Sequence, residues 1–261
     1  MLSTRFVTGA PNWIEVTAPD PDGAASFYGA LFGWRFRSAG PAAGGYGFFE
    51  LDGATVAGRM PATADQGPAS WTVYFQSPDA EATAEAAGRA RGRVLARPAA
   101  VGEQGVAAVL ADRAGAAYGI WQPGRRKGLD RAGEEGALCW VELYTPDIAA
   151  AAAHYRAVLG LETSAVTFPD GTYTSVGPSG AAEDGMFGGV VPLADDPVES
   201  EPHWLPYLAV TDPDAVVART LELGGEVRMP ATDVAGAGRV ARLADPYGAR
   251  FAILRPAPRD V

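Results

Sequence analysis

Apolar and polar side chains alternate along Trp13, Ile14, Glu15, Val16 and Thr17, a period of two that predicts a β-strand with one buried face. The run stops at Pro19-Asp20. The alanine-rich stretch that follows, DPDGAASFYGALFG, predicts a short helix capped by an aspartate and ended by Gly33. Beyond it come segments rich in Val, Phe, Tyr and Gly, separated by turn residues, which predict three antiparallel strands. Trp71 opens a second run of the same kind, closed by Pro78-Asp79. The unit of organisation is a βαβββ module.

The pattern then repeats. WIEVTAPD at 13–20 matches WVELYTPD at 140–147, an offset of 127 that also carries FYGALFGW (27–34) onto HYRAVLGL (154–161). With an offset of 133, WTVYFQSPDA at 71–80 answers WLPYLAVTDP at 204–213, and Gly92, Asp112, Gly115 and Pro123 answer Gly225, Asp245, Gly248 and Pro256. Four modules result, near 12–62, 69–124, 138–193 and 202–257. One module cannot bury both faces of a curved four-stranded sheet. The fold class expected is therefore α+β: modules paired into two eight-stranded, incompletely closed barrels, with helices outside and a concave interior. The division expected is an N-terminal domain at 1–124, a linker at 125–137 and a C-terminal domain at 138–261. The linker, charged and glycine-rich, reads as an exposed connection.

Composition narrows the function. Of 261 residues, 48% are hydrophobic and 20% charged, the balance of a folded soluble chain. No apolar run reaches the length of a membrane span, and MLSTRFVTGAPNW holds no stretch of signal-peptide length, so a cytoplasmic location is expected. The net charge of −10 disfavours nucleic acid and anionic membrane surfaces as partners. Cys139 is the single cysteine, and His154 and His203 are the two histidines. No Ser-His-Asp or Cys-His arrangement can be assembled from them. The glycine runs at 40–47 and 235–238 lack the strand-loop-helix order of a phosphate loop and read as turns. Tyr28, Tyr155 and Cys139 read as core, and His154, which replaces Phe27, as packing or surface. A monomer or homodimer is expected.

WIEVTAPD with FYGALFGW, and later LADPYGARFAIL, resembles the vicinal oxygen chelate superfamily of glyoxalases, bleomycin-resistance proteins and extradiol dioxygenases. The shared pattern is strand, Asp, helix with Phe-Tyr and Leu-Gly, and a final Asp-Pro-x-Gly before the last strand. It covers nearly the whole chain and recurs in both halves. The likeness is to two-domain actinobacterial glyoxalase-like proteins that carry the label hydroxylase, a group that includes secreted mycobacterial antigens. Enzymes of the superfamily hold a divalent metal through His, Glu or Gln on the first and last strands of paired modules. Carried onto this chain, the ligand positions fall on Trp13, Thr72 and Gly119 in the first half and on Trp140, Leu205 and Ala252 in the second. No acid lies in ATVAGRM (54–60) or GMFGGVV (185–191). No metal cofactor is expected, although a register shifted by two residues would preserve the facing and leave a divalent metal open.

That shift identifies other candidates, because positions i and i+2 of a strand share a face. Glu15 shares a face with Trp13, Glu142 with Trp140, Tyr74 with Thr72, and His203 and Tyr207 with Leu205. Glu142 and His203 are the candidate catalytic pair, since a carboxylate beside an imidazole can move protons near neutral pH. Trp13, Glu15, Thr72, Tyr74, Trp140, Leu205 and Tyr207 are the candidate ligand-binding set. The function expected is binding, with or without metal-free transformation, of a small apolar or aromatic molecule such as a secondary metabolite or antibiotic, in biosynthesis, resistance or detoxification. The alternative is a metal-dependent lyase, isomerase or dioxygenase.

Overall fold

The protein is described from a computed structural model, covering residues 2–63, 69–168, 171–181, 185–195 and 201–257. The first half runs β1 (Pro11–Ala18), α1 (Pro21–Phe32), β2 (Arg35–Ser38), β3 (Gly47–Leu51), β4 (Ala54–Pro61), β5 (Ser70–Gln76), α2 (Ala80–Arg89), β6 (Arg93–Ala100), β7 (Gly105–Ala111) and β8 (Ala117–Pro123). In the second half the elements are β9 (Leu138–Thr145), α3 (Ile148–Leu159), β10 (Leu161–Phe168), β11 (Gly171–Pro178), β12 (Gly188–Pro192), β13 (His203–Ala209), α4 (Pro213–Glu222), β14 (Glu226–Val234), β15 (Gly238–Ala244) and β16 (Arg250–Pro256). This is βαβββ four times over, as the repeat predicts.

Each helix starts where an aspartate side chain takes up an otherwise orphaned backbone N–H. Asp20 accepts from Gly23, Asp79 from Ala82, Asp147 from Ala150 and Asp212 from Ala215, all at 2.9–3.0 Å. Helices α1 and α3 end on Gly33 and Gly160, whose φ of 72° and 66° lie in the left-handed region that a Cβ disfavours.

The strands form two mixed eight-stranded sheets, ordered β2-β3-β4-β1-β5-β8-β7-β6 and β10-β11-β12-β9-β13-β16-β15-β14. Within a module the first and last strands run parallel, β1 with β4, β5 with β8, β9 with β12 and β13 with β16, and the outer strands are antiparallel. Neither sheet closes on itself. Burial alternates over residues 14–17 of β1 and 140–143 of β9: Ile14, Val16, Val141 and Leu143 are fully buried on one face, while Glu15, Thr17, Trp140 and Glu142 on the other are half-buried. No described helix is long and apolar enough to cross a membrane.

The side chains pack into two compact units, and each takes strands from both sheets. Unit one comprises Met1–Trp13, Thr72–Gly128 and Trp140–Leu205, and unit two Ile14–Trp71, Leu129–Cys139 and Pro206–Val261. The same polar tie sits in the core of each. In unit one the Trp204 indole donates to the Tyr155 hydroxyl (2.8 Å), which donates to Asp112 Oδ2 (3.2 Å). In unit two Trp71 donates to Tyr28 (2.9 Å), which donates to Asp245 Oδ2 (3.0 Å). The second oxygen of each aspartate collects backbone N–H groups, from Ala114, Gly115 and Ala116 in one case and Tyr247 and Ala249 in the other. The aspartate of the Asp-x-x-Gly turn is thus a structural anchor. Burial, with the aspartate's charge second, holds the Tyr28 and Tyr155 hydroxyls well above the ordinary phenol range, so both stay protonated and can donate.

The segment at 125–137 differs from the exposed connection expected. Leu129 and Ala137 are buried, the Trp34 indole donates to the Gly136 carbonyl at 2.8 Å, and Asp130 exchanges two hydrogen bonds with the backbone of Thr55. A charged, glycine-rich composition describes the side chains of this stretch. Its backbone is nonetheless needed to satisfy Thr55 and Trp34 in the core of unit two.

Candidate functional site

The candidate residues separate by environment. Trp13, at the start of β1, is buried with the Arg126 guanidinium 5.4 Å from its ring centroid. Thr72 is half-buried on β5, and Tyr74, two residues on, is buried. Tyr74 lies opposite Gly119 of β8, and a Cβ at Gly119 would run into its ring. The ring therefore fills the place that the resemblance gives to a last-strand ligand. Glu15, half-buried, lies opposite Gly58 of β4 in unit two.

Another part of unit one joins several polar groups. Glu142 of β9 receives one hydroxyl on each carboxylate oxygen, Tyr173 on Oε1 at 2.7 Å and Tyr144 on Oε2 at 2.9 Å. The Trp140 indole donates to the Tyr173 hydroxyl at 3.0 Å. Tyr144 in turn stacks on His203, with ring centroids 4.9 Å apart and planes 9° from parallel. His203 Nδ1 lies 2.8 Å from the Glu201 carbonyl. A carbonyl only accepts, so Nδ1 carries the proton, and in the neutral ring the lone pair sits on Nε2. The chain Trp140, Tyr173, Glu142, Tyr144 and His203 thus alternates aromatic surface with hydrogen-bonding groups. Burial and the Glu142 carboxylate beside it hold the Tyr173 phenol well above its ordinary range, which keeps it a donor.

Local sequence positions most of this group. Trp140, Glu142 and Tyr144 are alternate residues of β9, and His203 and Leu205 alternate residues of β13. Trp204, between the latter two, faces the opposite way, into the core against Tyr155. Tyr173 arrives from β11, over Gly189, the residue that β12 places opposite Glu142. A Cβ at Gly189 would collide with the Tyr173 hydroxyl, so the glycine is what admits it.

Sequence reasoning brought Glu142, His203 and Trp140 together and missed the two tyrosines. Tyr144 was legible as the residue two beyond Glu142. Tyr173 was not, since only the pairing of β11 with β12 brings it there. Leu205 and Tyr207 are buried on β13, with the Tyr207 carbonyl accepting from Cys139 Sγ at 3.3 Å in unit two. Burial pushes the Cys139 thiol up to about 12, which makes it inert as a nucleophile near neutral pH.

A metal would need several converging donors. Among the described residues no three His, Cys, Asp or Glu side chains are grouped so that they could hold an ion. The positions the resemblance assigns to ligands, filled by Trp, Thr, Gly, Leu and Ala, do not supply the set.

Comparison with known proteins adds a context. Residues 137–253 match the profile of the "Glyoxalase/Bleomycin resistance protein/Dioxygenase superfamily", and residues 13–120 that of a "Glyoxalase-like domain". The chain is 38% identical to the anthracycline biosynthesis protein DauV of Streptomyces sp. (strain C5), over 96% of this chain and 94% of DauV. It is 36% identical to CFP32 of Mycobacterium tuberculosis over 98% of each. Among solved structures, the Mn(II)-bound glyoxalase from Novosphingobium aromaticivorans superposes with a TM-score of 0.63 at 16% identity, covering 100% of this chain and 86% of that one. At that identity the likeness is one of fold.

Proposed function

The chain belongs to the glyoxalase/bleomycin resistance protein/dioxygenase superfamily, and from that premise we propose that it handles a small, flat aromatic molecule of secondary metabolism without the metal used by its enzymatic relatives. The observation that carries the reading is Glu142, held between the hydroxyls of Tyr173 and Tyr144 and flanked by Trp140 and His203. Aromatic walls give a flat ligand large contact area, and a few fixed polar groups orient it. A phenolic hydroxyl on such a ligand is a donor suited to a carboxylate.

The anthracycline name of the relative DauV supports the ligand class, since anthracyclines are fused-ring molecules bearing phenols and ketones.

Titration with quinizarin, a neutral dihydroxyanthraquinone, followed by tryptophan fluorescence, tests the reading. Saturable binding is expected, weakened about tenfold, or roughly 1.4 kcal/mol, by Glu142→Gln. Absence of binding, or equal affinity in that variant, would sink it.

A further inference from the structure

The outer edges of the two sheets carry different charge. Strand β6 ends the first sheet, and its duplicate β14 ends the second. Along the second-module edge stand Arg89, Arg91, Arg93, Arg97 and Arg113, all exposed, where the matched residues 133 further on are Glu222, Gly224, Glu226, Pro230 and Pro246. Arg93 lies opposite Ala111 of β7, which brings Arg113, two residues beyond, to the same end of the edge as Arg91. Charges at the fourth-module edge are balanced locally. Glu222 meets Arg219 at 2.9 Å, Glu226 meets Arg228 at 3.1 Å, and Asp233 meets Arg239 at 3.1 Å. On the second-module edge Arg89 reaches Glu85 at 3.4 Å, while Arg91, Arg93, Arg97 and Arg113 form no ion pair with any described residue.

Apolar side chains stand among these arginines. Val94, Leu95 and Val101 are 41%, 52% and 46% exposed, half of the large hydrophobic residues exposed on the described chain. Residues Arg93–Arg97 are exposed on both faces, and the outer row of backbone N–H and C=O groups of β6 pairs with no described strand. Folding does not account for the arginines, since the duplicated edge is built without them and like charges gathered on one strand repel. Arg91 adds a conformational penalty. Its φ of 61° lies in the left-handed region, where the fourth module has Gly224 at 81°. Pro98 and two bulges interrupt β6, and its arginines would face those of a second copy, so pairing of two copies through β6 is disfavoured. Acids on an incoming strand reverse that repulsion.

We propose that the Arg93–Arg97 edge of β6, with Arg91 and Arg113 at its end, docks an acidic, extended segment of a partner protein as an added strand. Backbone pairing supplies affinity, Val94 and Leu95 take apolar side chains of the segment, and the arginines select acids over bases. The five residues span about 17 Å, at roughly 3.3 Å each. The chain's net charge is −10 with these arginines included, so the surface beyond them is more acidic still. A nucleic-acid backbone or an anionic lipid surface would run past the patch and be repelled there, whereas a short segment would not. The edge lies wholly in unit one and does not rest on Glu142.

Fluorescence anisotropy of labelled heptapeptides with the full chain, at low salt, tests it. A peptide alternating glutamate and valine is expected to bind saturably, at least tenfold more tightly than its lysine-valine counterpart, and to slow amide exchange at Arg93–Arg97. Alternating glutamate with proline, which removes ladder donors, weakens binding at least threefold. The double variant Arg93→Glu, Arg97→Glu, its first change copying the duplicate, costs the glutamate-valine peptide at least tenfold. Arg91→Gly, which copies Gly224 and relieves the backbone, costs at least twofold and gives a second readout should the double variant fail to fold. Glu142→Gln leaves these affinities intact, which separates the edge from the reading above. The proposal is overturned if the acidic and basic peptides bind alike, if affinity survives both sets of arginine changes, or if exchange at Arg93–Arg97 is unaltered. It is equally overturned if sedimentation shows self-association that the double variant abolishes, which makes a second copy the occupant, or if oligothymidylate binds more tightly than the peptide.

Discussion

Phe27 of α1 and Phe251 of β16 meet edge to face in the core of unit two, ring centroids 6.3 Å apart. The matched positions of unit one, 127 residues after Phe27 and 133 before Phe251, hold His154 and Tyr118, which meet at nearly the same spacing, 5.9 Å, and add a hydrogen bond of 2.9 Å between Nε2 and the hydroxyl. In both units a glycine makes the room: a Cβ at Gly92 would stand 2.7 Å from His154, and one at Gly225 3.1 Å from Phe27. The frame has been kept while its filling turned polar. Unit one holds a buried imidazole that unit two does without, beside a Tyr-Asp-Trp tie common to both. The anchors lie on the helix side, away from the face that carries Trp140 and Glu142.

The strongest way to break the comparison is to remove an anchor. Asp112→Ala strands three backbone N–H groups and the Tyr155 hydroxyl, and a loss of about 3–5 kcal/mol is expected in urea unfolding. Asp245→Ala should cost a similar or slightly smaller amount, since burial already raises the Asp245 carboxyl and the charged form is less favoured there. A cost under 1 kcal/mol in either would show that the tie is ornamental.

Next in size is the glycine pair. Gly92→Ala and Gly225→Ala each push a methyl against a carbonyl, at 2.6 and 2.7 Å, and each should cost about 1–3 kcal/mol. The first must also move the His154 imidazole and the second the Thr220 methyl, each 2.7 Å away, so similar losses are expected, and only the first should weaken the Tyr118 to His154 bond. A loss under about 0.5 kcal/mol in either would show that the close approach at that glycine is not needed.

The smallest expected effect is on pH dependence. Burial disfavours the charged imidazole of His154 and lowers its pKa below 6.5, against a hydrogen bond to the Ala90 carbonyl that raises it. Well above pH 6.5 the group is neutral in both states and contributes no pH dependence. As pH falls below 6.5 the unfolded chain takes up a proton that the folded chain refuses, so stability declines until pH passes the folded value. The double variant His154→Phe, Tyr118→Phe, which copies unit two, should flatten that part of the stability profile. An unchanged slope would assign it to other groups.

Much of this was legible in the chain. Alternation along Trp13–Thr17, the aspartate caps and the two offsets predict the modules, their order and the sheets. They do not predict that the side-chain cores join the second module to the third and the first to the fourth, because that pairing runs through Tyr28 with Asp245 and Tyr155 with Asp112, contacts without a local signal. In the candidate site the β9 and β13 residues followed from a period of two. Tyr173 did not, since it reaches its place through the register of a neighbouring strand. The linker misled for a related reason: its side chains are those of a surface, while its backbone serves the interior.

The tie between Tyr28 and Asp245 spans 217 residues, whereas that between Tyr155 and Asp112 spans 43. On a ribosome adding about 5–20 residues per second, unit one can close within seconds of its last strand emerging, but the first helix waits roughly 10–40 s for its aspartate. During that interval Phe27, Tyr28 and Phe251's future partners stand without their cover. The order of synthesis leaves the first module's core open until the fourth is made, and it makes truncation near the C-terminus a defect felt at the N-terminus.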